Sequence, residues 1–247
     1  MADTAVAVTA VAMVAADTEA EMVATVADHA RVAMVAGATG LVGREILEAL
    51  LADKSVRTVH SVGRRTIDLQ HHKLVQHVVD FANLKDLPPV DDVLIALGTT
   101  IKVAGSQAAF RAVDFEAVVA LARAARAQGA TKLGVVSAMG ASANSPIFYN
   151  QVKGEMEAAV SALGYASVSI AQPSMLAGDR AALDQPLRSG ERLALSVTRW
   201  LKPLIPANYQ SVQASDVAAG LLRAVRSGKP GVHRVLSGAL QGASKHD

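Results

Sequence analysis

The chain of 247 residues contains no cysteine. This excludes disulfide scaffolds, thiolate metal sites and cysteine nucleophiles. Aromatic residues make up only 3% of the chain, which argues against the base-stacking surfaces used by proteins that bind single-stranded nucleic acid. Neither sign of charge dominates, because 24 Lys and Arg residues stand against 22 Asp and Glu residues. We therefore expect neither a nucleic acid nor an anionic membrane surface as a partner.

Long uninterrupted apolar segments are also lacking. The uncharged stretch 4–16 is too short to span a bilayer, and the longer uncharged stretches 133–152 and 158–178 contain Ser, Gln, Gly and Pro. The N-terminal residues include Asp3 and no basic cluster, which disfavours a secretory signal. We expect a protein without a membrane segment that is located in the cytoplasm.

Hydrophobic residues are abundant, at 51% of the chain, which is enough for a large core. Short β-rich runs alternate with longer helical patterns, as in βαβ units with a parallel sheet. The predicted strands are 32–36, 58–62, 74–79, 92–97, 132–137, 167–171 and 233–236. The predicted helices are 42–52, 107–128, 146–163 and 215–227. These elements predict an α/β fold with a doubly wound parallel sheet of about seven strands.

The domain organisation follows from the same pattern. Residues 1–30 are rich in Ala and Val and are expected to form a poorly ordered extension. Residues 31–247 are predicted to form a single domain, because no Pro/Gly-rich linker divides them. The Pro-containing segment 179–213 is expected to act as a substrate lid beyond the carboxyl ends of the strands.

The segment 37–43 reads Gly-Ala-Thr-Gly-Leu-Val-Gly between the first predicted strand and helix. Gly37 permits the tight turn, Gly40 lets the backbone approach a pyrophosphate, and Gly43 lets the helix lie close to the strand. The start of the helix offers unpaired N–H groups to the anion. We predict that this turn binds a dinucleotide through Gly37, Thr39, Gly40, Leu41, Val42 and Gly43.

The second predicted strand ends without the carboxylate that would hold the ribose of NAD. Arg64 and Arg65 follow it instead, and two guanidinium groups suit the 2′-phosphate of NADP(H). A solvated basic turn is the alternative interpretation.

The ends of the third and fourth strands complete the predicted cofactor site. Asp80 and Phe81 are expected beside the adenine, with Asp80 accepting a hydrogen bond from its amino group. The next segment is expected beneath the ribose and phosphates of the cofactor, and it comprises Leu97, Gly98, Thr99 and Thr100.

Tyr149 and Lys153 are four residues apart in a predicted helix and therefore share one face. A phenol has a pKa near 10, and a nearby cation favours its ionised form, as acid–base catalysis at neutral pH requires. Ser137, at the end of the fifth strand, is expected beside that helix. Asp114 and Glu116 are expected to face solvent from the helix 107–128.

These segments resemble the short-chain dehydrogenase/reductase superfamily in its extended or atypical branch. More closely, the chain resembles the oxidoreductase family that includes the Tat-interacting short-chain-dehydrogenase-like protein of mammals. The resemblance runs from about residue 31 to 178 and is carried by the segments 37–43, 62–65, 97–100, 136–141 and 149–155.

The resemblance implies an NADPH-binding Rossmann fold in which Tyr149 is the general acid/base and Ser137 orients a substrate carbonyl or hydroxyl. Lys153 would hold the nicotinamide ribose and lower the pKa of the tyrosine. The segment past the nicotinamide would include Pro173, Ser174 and Leu176. The chain departs from the family at Ala138, where relatives often carry a second serine, and this puts the serine's role in question.

The sequence thus predicts an NADPH-dependent oxidoreductase that acts on a small-molecule carbonyl or hydroxyl substrate. Two other functions are compatible with the same fold: a non-catalytic NADP(H)-sensing interaction protein, and a sugar-nucleotide epimerase. The adjacent His71 and His72 lack metal-site spacing, and no metal is expected. A homodimer is a further expectation, because apolar helices are expected at the surface.

Overall fold

The computed structural model describes residues 30–84, 87–176, 208 and 210–245. Residues 1–29 of the predicted extension and most of the predicted lid 179–213 lie outside these residues. No helix in the described part of the chain is long and apolar enough to cross a membrane.

Seven parallel strands form one sheet, and this confirms the predicted fold class. In chain order they are β1 (Arg31–Ala36), β2 (Val56–Gly63), β3 (Leu74–Val78), β4 (Asp92–Ile95), β5 (Lys132–Val136), β6 (Ser167–Gln172) and β7 (Gly231–Leu236). Their spatial order is β3-β2-β1-β4-β5-β6-β7, so the direction of winding reverses between β1 and β4. Ligands of such sheets bind outside the carboxyl ends of the strands at this reversal.

The helices are α1 (Leu41–Ala52), α2 (Ile101–Ala104), α3 (Gln107–Arg111), α4 (Val118–Ala127), α5 (Phe148–Ser161), α6 (Ala214–Ser227) and α7 (Ser237–Leu240). A turn of π-helix, Ala112–Ala117, joins α3 to α4, and a 3₁₀ turn spans Ala243–Lys245. The predicted helix 107–128 is therefore interrupted by a turn of different period, and α2 is an additional short helix.

The central strands β1, β4, β5 and β6 are largely buried because helices cover both faces of the sheet, whereas the edge strands β3 and β7 are more exposed. On one face, α1 and α6 pack Ile46, Leu50 and Leu221 against the sheet. On the other, α4 and α5 contribute Leu121 and Met156 to a second apolar cluster. The carboxyl edge of the sheet, between these two helical layers, is where the predicted site residues gather.

Candidate active site

The turn after β1 contains three glycines, which are not all needed for the same reason. Gly37 has φ +90°, and a Cβ there would lie 2.4 Å from the Ala96 carbonyl oxygen. A Cβ on Gly43 would lie only 2.0 Å from the Gly37 carbonyl oxygen. These two positions therefore require glycine so that α1 and the chain after β4 can pack against the turn.

Gly40 is different, because a Cβ there would have its nearest contact at 3.4 Å, to the Gly37 carbonyl oxygen, which is ordinary van der Waals distance. Its φ of −91° is also open to other residues. No side chain caps the start of α1 at this position, so the amides of the first turn remain for another acceptor. The turn thus leaves space and donors that suit a phosphate.

A cavity of about 640 Å³ opens beside this turn at the carboxyl ends of β1, β2 and β4. Nine of the predicted cofactor residues line it: Gly37, Thr39, Gly40, Arg64, Arg65, Asp80, Phe81, Leu97 and Gly98. The opposite wall comes from the π turn and α4, through Ala112, Val113, Glu116, Ala117 and Ala120. Sequence reasoning missed this wall, although its small side chains were a usable signal for close approach of a ligand.

The other predicted cofactor residues do not line the cavity. At the glycine turn, Leu41 is exposed, Val42 is buried, and Gly43 packs on Gly37. After β4, the Thr99 amide donates to Asp114, and the Thr100 hydroxyl accepts from the Val103 amide to cap α2.

Three more predicted cofactor residues follow β6. The Pro173 carbonyl accepts from the Met139 amide, which ties this segment to the chain after β5. The Ser174 hydroxyl donates to the Gln210 carbonyl, and Leu176 forms a bridge to Val212. These contacts join the segment to the chain after β5 and to the residues that precede α6.

Tyr149 and Lys153 lie one turn apart near the start of α5, as predicted. The Tyr149 ring packs on Phe110, with ring centroids 5.3 Å apart. The Lys153 ammonium is buried and lies 2.7 Å from Oδ1 of Asp114. The second Asp114 oxygen accepts from the Thr99 amide at 2.9 Å.

The expectation that Asp114 faces solvent is wrong, because its side chain is only 1% exposed. It lies in the π turn, which widens the helix locally and shifts the positions that follow relative to a 3.6-residue period. Burial raises the pKa of the Asp114 carboxyl, against the opposing effects of Lys153 and the Thr99 amide. Glu116 is exposed at the cavity, as expected for that residue.

Ser137 contacts a residue that sequence reasoning did not single out. Its hydroxyl donates to Oε1 of Glu157 at 2.6 Å, and the Gln172 amide donates to the same oxygen at 2.8 Å. The Arg234 guanidinium donates to the other carboxylate oxygen at 3.0 Å. Glu157 lies four residues after Lys153 on the same face of α5, and this spacing was the signal that could have identified it.

The site therefore contains two buried carboxylates, Asp114 from the π turn and Glu157 from α5. Asp114 pairs with Lys153 beside the cavity, and Glu157, one turn after Lys153, accepts a hydrogen bond from the Ser137 hydroxyl. The hydroxyl oxygen of Ser137 retains its lone pairs as acceptors. The described residues contain no cluster of three or more metal-ligating side chains.

No family model matches the chain, but curated proteins and solved structures are similar to it. Protein FMP52 of Candida albicans, named as mitochondrial, is 30% identical over 192 residues, which cover 74% of this chain and 82% of that protein. Protein HTATIP2 of Rattus norvegicus is 34% identical over 167 residues, which cover 65% of this chain and 67% of that protein.

A short-chain dehydrogenase family protein of Francisella tularensis superposes with a TM-score of 0.63 at 13% identity, over 85% of this chain and 98% of its own. At this identity the likeness shows the fold. The expected cytoplasmic location is contradicted by the relatives, since several fungal ones are named mitochondrial proteins. By sequence, the chain belongs to the family of the FMP52 and HTATIP2 proteins, and its fold is that of a short-chain dehydrogenase family protein.

Proposed function

We propose that the chain is an NADPH-dependent oxidoreductase that uses Tyr149 as its general acid/base. The observation that carries the proposal is that the cavity and the Tyr149–Lys153 pair adjoin. Gly98 lines the cavity, and a Cβ built on Gly98 would lie 3.9 Å from the Lys153 ammonium nitrogen. A dinucleotide extended from the glycine turn past Gly98 would therefore reach this pair.

The cavity wall supports NADP(H) over NAD. Arg64 and Arg65 both line it directly after β2, where a 2′-phosphate would lie in a site of this fold. Guanidinium groups bind phosphate through paired, charge-assisted hydrogen bonds. Asp80 and Phe81 line the same cavity and suit the adenine, through an acceptor and an aromatic face.

The cofactor, Tyr149 and Lys153 have different roles in the proposed reaction. The cofactor, when bound, supplies or accepts a hydride. Tyr149 donates its phenolic proton to the substrate oxygen in reduction and takes it back in oxidation. Lys153 stabilises the phenolate, and lowering a phenol pKa by three units needs about 4 kcal/mol, roughly one close charge pair at an effective dielectric near 20.

The remaining predicted residues take supporting roles in this proposal. Ser137 offers an acceptor oxygen to the substrate, since its hydroxyl already donates a hydrogen bond to Glu157. Backbone groups of Pro173, Ser174 and Leu176 meet the carboxamide of the nicotinamide.

The test is a screen of small carbonyl compounds for NADPH oxidation, followed by Tyr149→Phe on any substrate found. We expect kcat to fall by about 10²- to 10⁴-fold, the usual contribution of a positioned proton donor. Tyr165→Phe is the matched control, because that hydroxyl donates to the Ala122 carbonyl on the far side of α4. Unchanged turnover in Tyr149→Phe would refute the catalytic role.

The non-catalytic sensor gives a different outcome. It predicts NADPH binding without turnover of any carbonyl compound, and partner binding that varies with NADPH occupancy in Tyr149→Phe as in the wild-type protein.

A further inference from the structure

One side chain of the edge strand β3 holds the loop that follows β2. The Gln76 carboxamide oxygen accepts a hydrogen bond from the Ile67 amide at 2.8 Å, and its nitrogen donates to the Ile67 carbonyl at 3.1 Å. The same nitrogen donates to the Leu69 carbonyl at 3.2 Å. A carboxamide has two N–H donors and an acceptor oxygen, so Gln76 uses all three on the backbone of this loop.

The loop has little other regular support. Residues 64–73 form neither a helix nor a strand, so no backbone ladder holds them. At one end the Val79 amide donates to the Gly63 carbonyl, where β2 finishes. At the other, Ile67 is held by Gln76 and packs its side chain against the apolar cluster beneath α1. The short stretch between Gly63 and Ile67 is therefore fixed at both ends.

Arg64 and Arg65 lie within this stretch. Together with Ile67 they line the cavity, whereas Gln76 does not. Both arginines are exposed, and within the part of the chain that the structure describes neither forms an ion pair or a side-chain hydrogen bond. Their position at the cavity thus depends on the backbone that carries them. A binding loop that is fixed in advance loses less conformational freedom when its ligand binds, which raises affinity.

We propose that Gln76 is a specificity-determining residue: by fixing the loop backbone at Ile67, it holds Arg64 and Arg65 in place for the 2′-phosphate of NADPH. This inference rests on the proposed function, since it assumes that a dinucleotide binds with its 2′-phosphate at the two arginines. Gln76 is a positioning residue that acts through the loop and makes no contact with the cofactor.

The test compares NADPH with NADH, which differ only in the 2′-phosphate. Dissociation constants of both are measured with the full chain for the wild type and for Gln76→Met, which keeps the length of the side chain and removes its hydrogen bonds. We expect NADPH affinity to fall about tenfold and NADH affinity to change by less than about twofold, because only NADPH uses the arginines. Equal losses for the two cofactors, or no loss of either, would overturn the inference.

His77→Leu is the matched control. His77 follows Gln76 on β3, and its side chain points to the opposite face of the sheet. There its Nε2 atom lies 2.9 Å from Nδ1 of His60 in β2. The control therefore also removes a side-chain contact between β3 and β2, but it leaves the loop bonds intact. We expect the wild-type ratio of NADPH to NADH affinity in this variant, and a ratio that falls as far as in Gln76→Met would assign Gln76 a general structural role.

A second comparison asks whether Gln76 acts through the arginines. When Gln76→Met is added to Arg64→Ala with Arg65→Ala, we expect no further loss of NADPH affinity. A further loss would overturn the inference. Gln76→Asn covers the case in which Gln76→Met does not fold, because it keeps the carboxamide but shortens the side chain by one methylene group, and the same selective loss of NADPH affinity is expected.

Failure of the proposed function gives a different result. Wild-type protein that binds neither cofactor, or that binds both equally well, would refute the proposed NADP(H) site itself, and the inference with it. Wild-type protein that prefers NADPH and a Gln76→Met variant that keeps the full preference would refute the role of Gln76 alone.

Discussion

At the scale of single residues, Gly40 and Gly43 show how similar sequence signals arise from different causes. Gly43 is required by the protein itself, because the Gly37 carbonyl occupies the place of its Cβ. Gly40 has no such conflict, and the space beside it is left for a ligand in our account. The two glycines therefore make a matched pair of test sites.

Gly40→Ala is expected to leave the free energy of unfolding within about 1 kcal/mol of wild type, since alanine suits its backbone angles. Its methyl group would occupy the phosphate site, so NADPH affinity should fall at least about tenfold. Thermal unfolding and a fluorescence titration with NADPH measure the two effects.

Gly43→Ala should behave in the opposite way and lose about 3 kcal/mol of stability, because its methyl group would press on the Gly37 carbonyl. Equal NADPH affinity in wild type and Gly40→Ala would show that the turn does not bind the phosphates.

Arg64 and Arg65 are expected to determine the preference for NADPH over NADH. We expect Arg64→Ala with Arg65→Ala to weaken NADPH binding about 100-fold and to leave NADH binding nearly unchanged, since only NADPH has a 2′-phosphate. Titration of the variant with both cofactors measures this, with Arg57→Ala on the exposed side of β2 as the control. Equal losses for the two cofactors would refute the 2′-phosphate contact.

At the scale of elements, α5 was predicted well, but the π turn between α3 and α4 was not. The four-residue spacing of Tyr149 and Lys153 predicted a shared helix face, and Glu157 extends that face by one more turn. The π turn could not be read in the same way, because it adds one residue to a helical turn without a distinctive sequence. Asp114 was therefore assigned to the solvent side, although it is the ion-pair partner of Lys153.

Glu157 is expected to stabilise the junction of α5 with β5, β6 and β7. Glu157→Gln keeps the shape of the side chain but removes the charge that accepts from Ser137, Gln172 and Arg234. We expect a loss of about 2 kcal/mol in the free energy of unfolding, measured by denaturant titration. Glu155→Gln, whose more exposed carboxylate pairs with Arg111, should cost less than about 1 kcal/mol. An equal loss in both variants would contradict a special role for Glu157.

At the scale of the whole molecule, the parallel sheet and its carboxyl edge were predictable from the alternation of elements. Parallel strands bring their carboxyl ends to one edge, which is why residues as distant in sequence as Gly37, Arg64, Asp80 and Gly98 line one cavity. The helical wall opposite them depends on how α4 packs across the sheet, and single-residue patterns do not determine that packing. Homodimer formation stays a prediction.

Asp53, which lies between α1 and β2, is expected to make the stability of the protein depend on pH. Burial acts to raise the pKa of Asp53, but Ser55, Arg226 and Arg31 outweigh it, and the pKa lies below its ordinary value of 3.8. A carboxyl with a lowered folded-state pKa contributes stability at neutral pH that is lost as the pH falls through that pKa.

Asp53→Asn should therefore cost about 1 kcal/mol in the free energy of unfolding at pH 7, with a difference from wild type that shrinks below about pH 4. Denaturant titrations across the pH range measure this, with Glu48→Gln on the exposed face of α1 as a control. A difference that stays constant down to pH 2 would contradict the assignment.

We propose that one cavity joins an NADP(H) site to the Tyr149–Lys153 pair, and a crystal structure of the full chain grown with NADP⁺ would show where the dinucleotide binds. We expect the 2′-phosphate between Arg64 and Arg65, the pyrophosphate against Gly40, and the nicotinamide ribose within hydrogen-bonding distance of the Lys153 ammonium. A dinucleotide bound elsewhere, or one whose nicotinamide points away from Lys153, would contradict it.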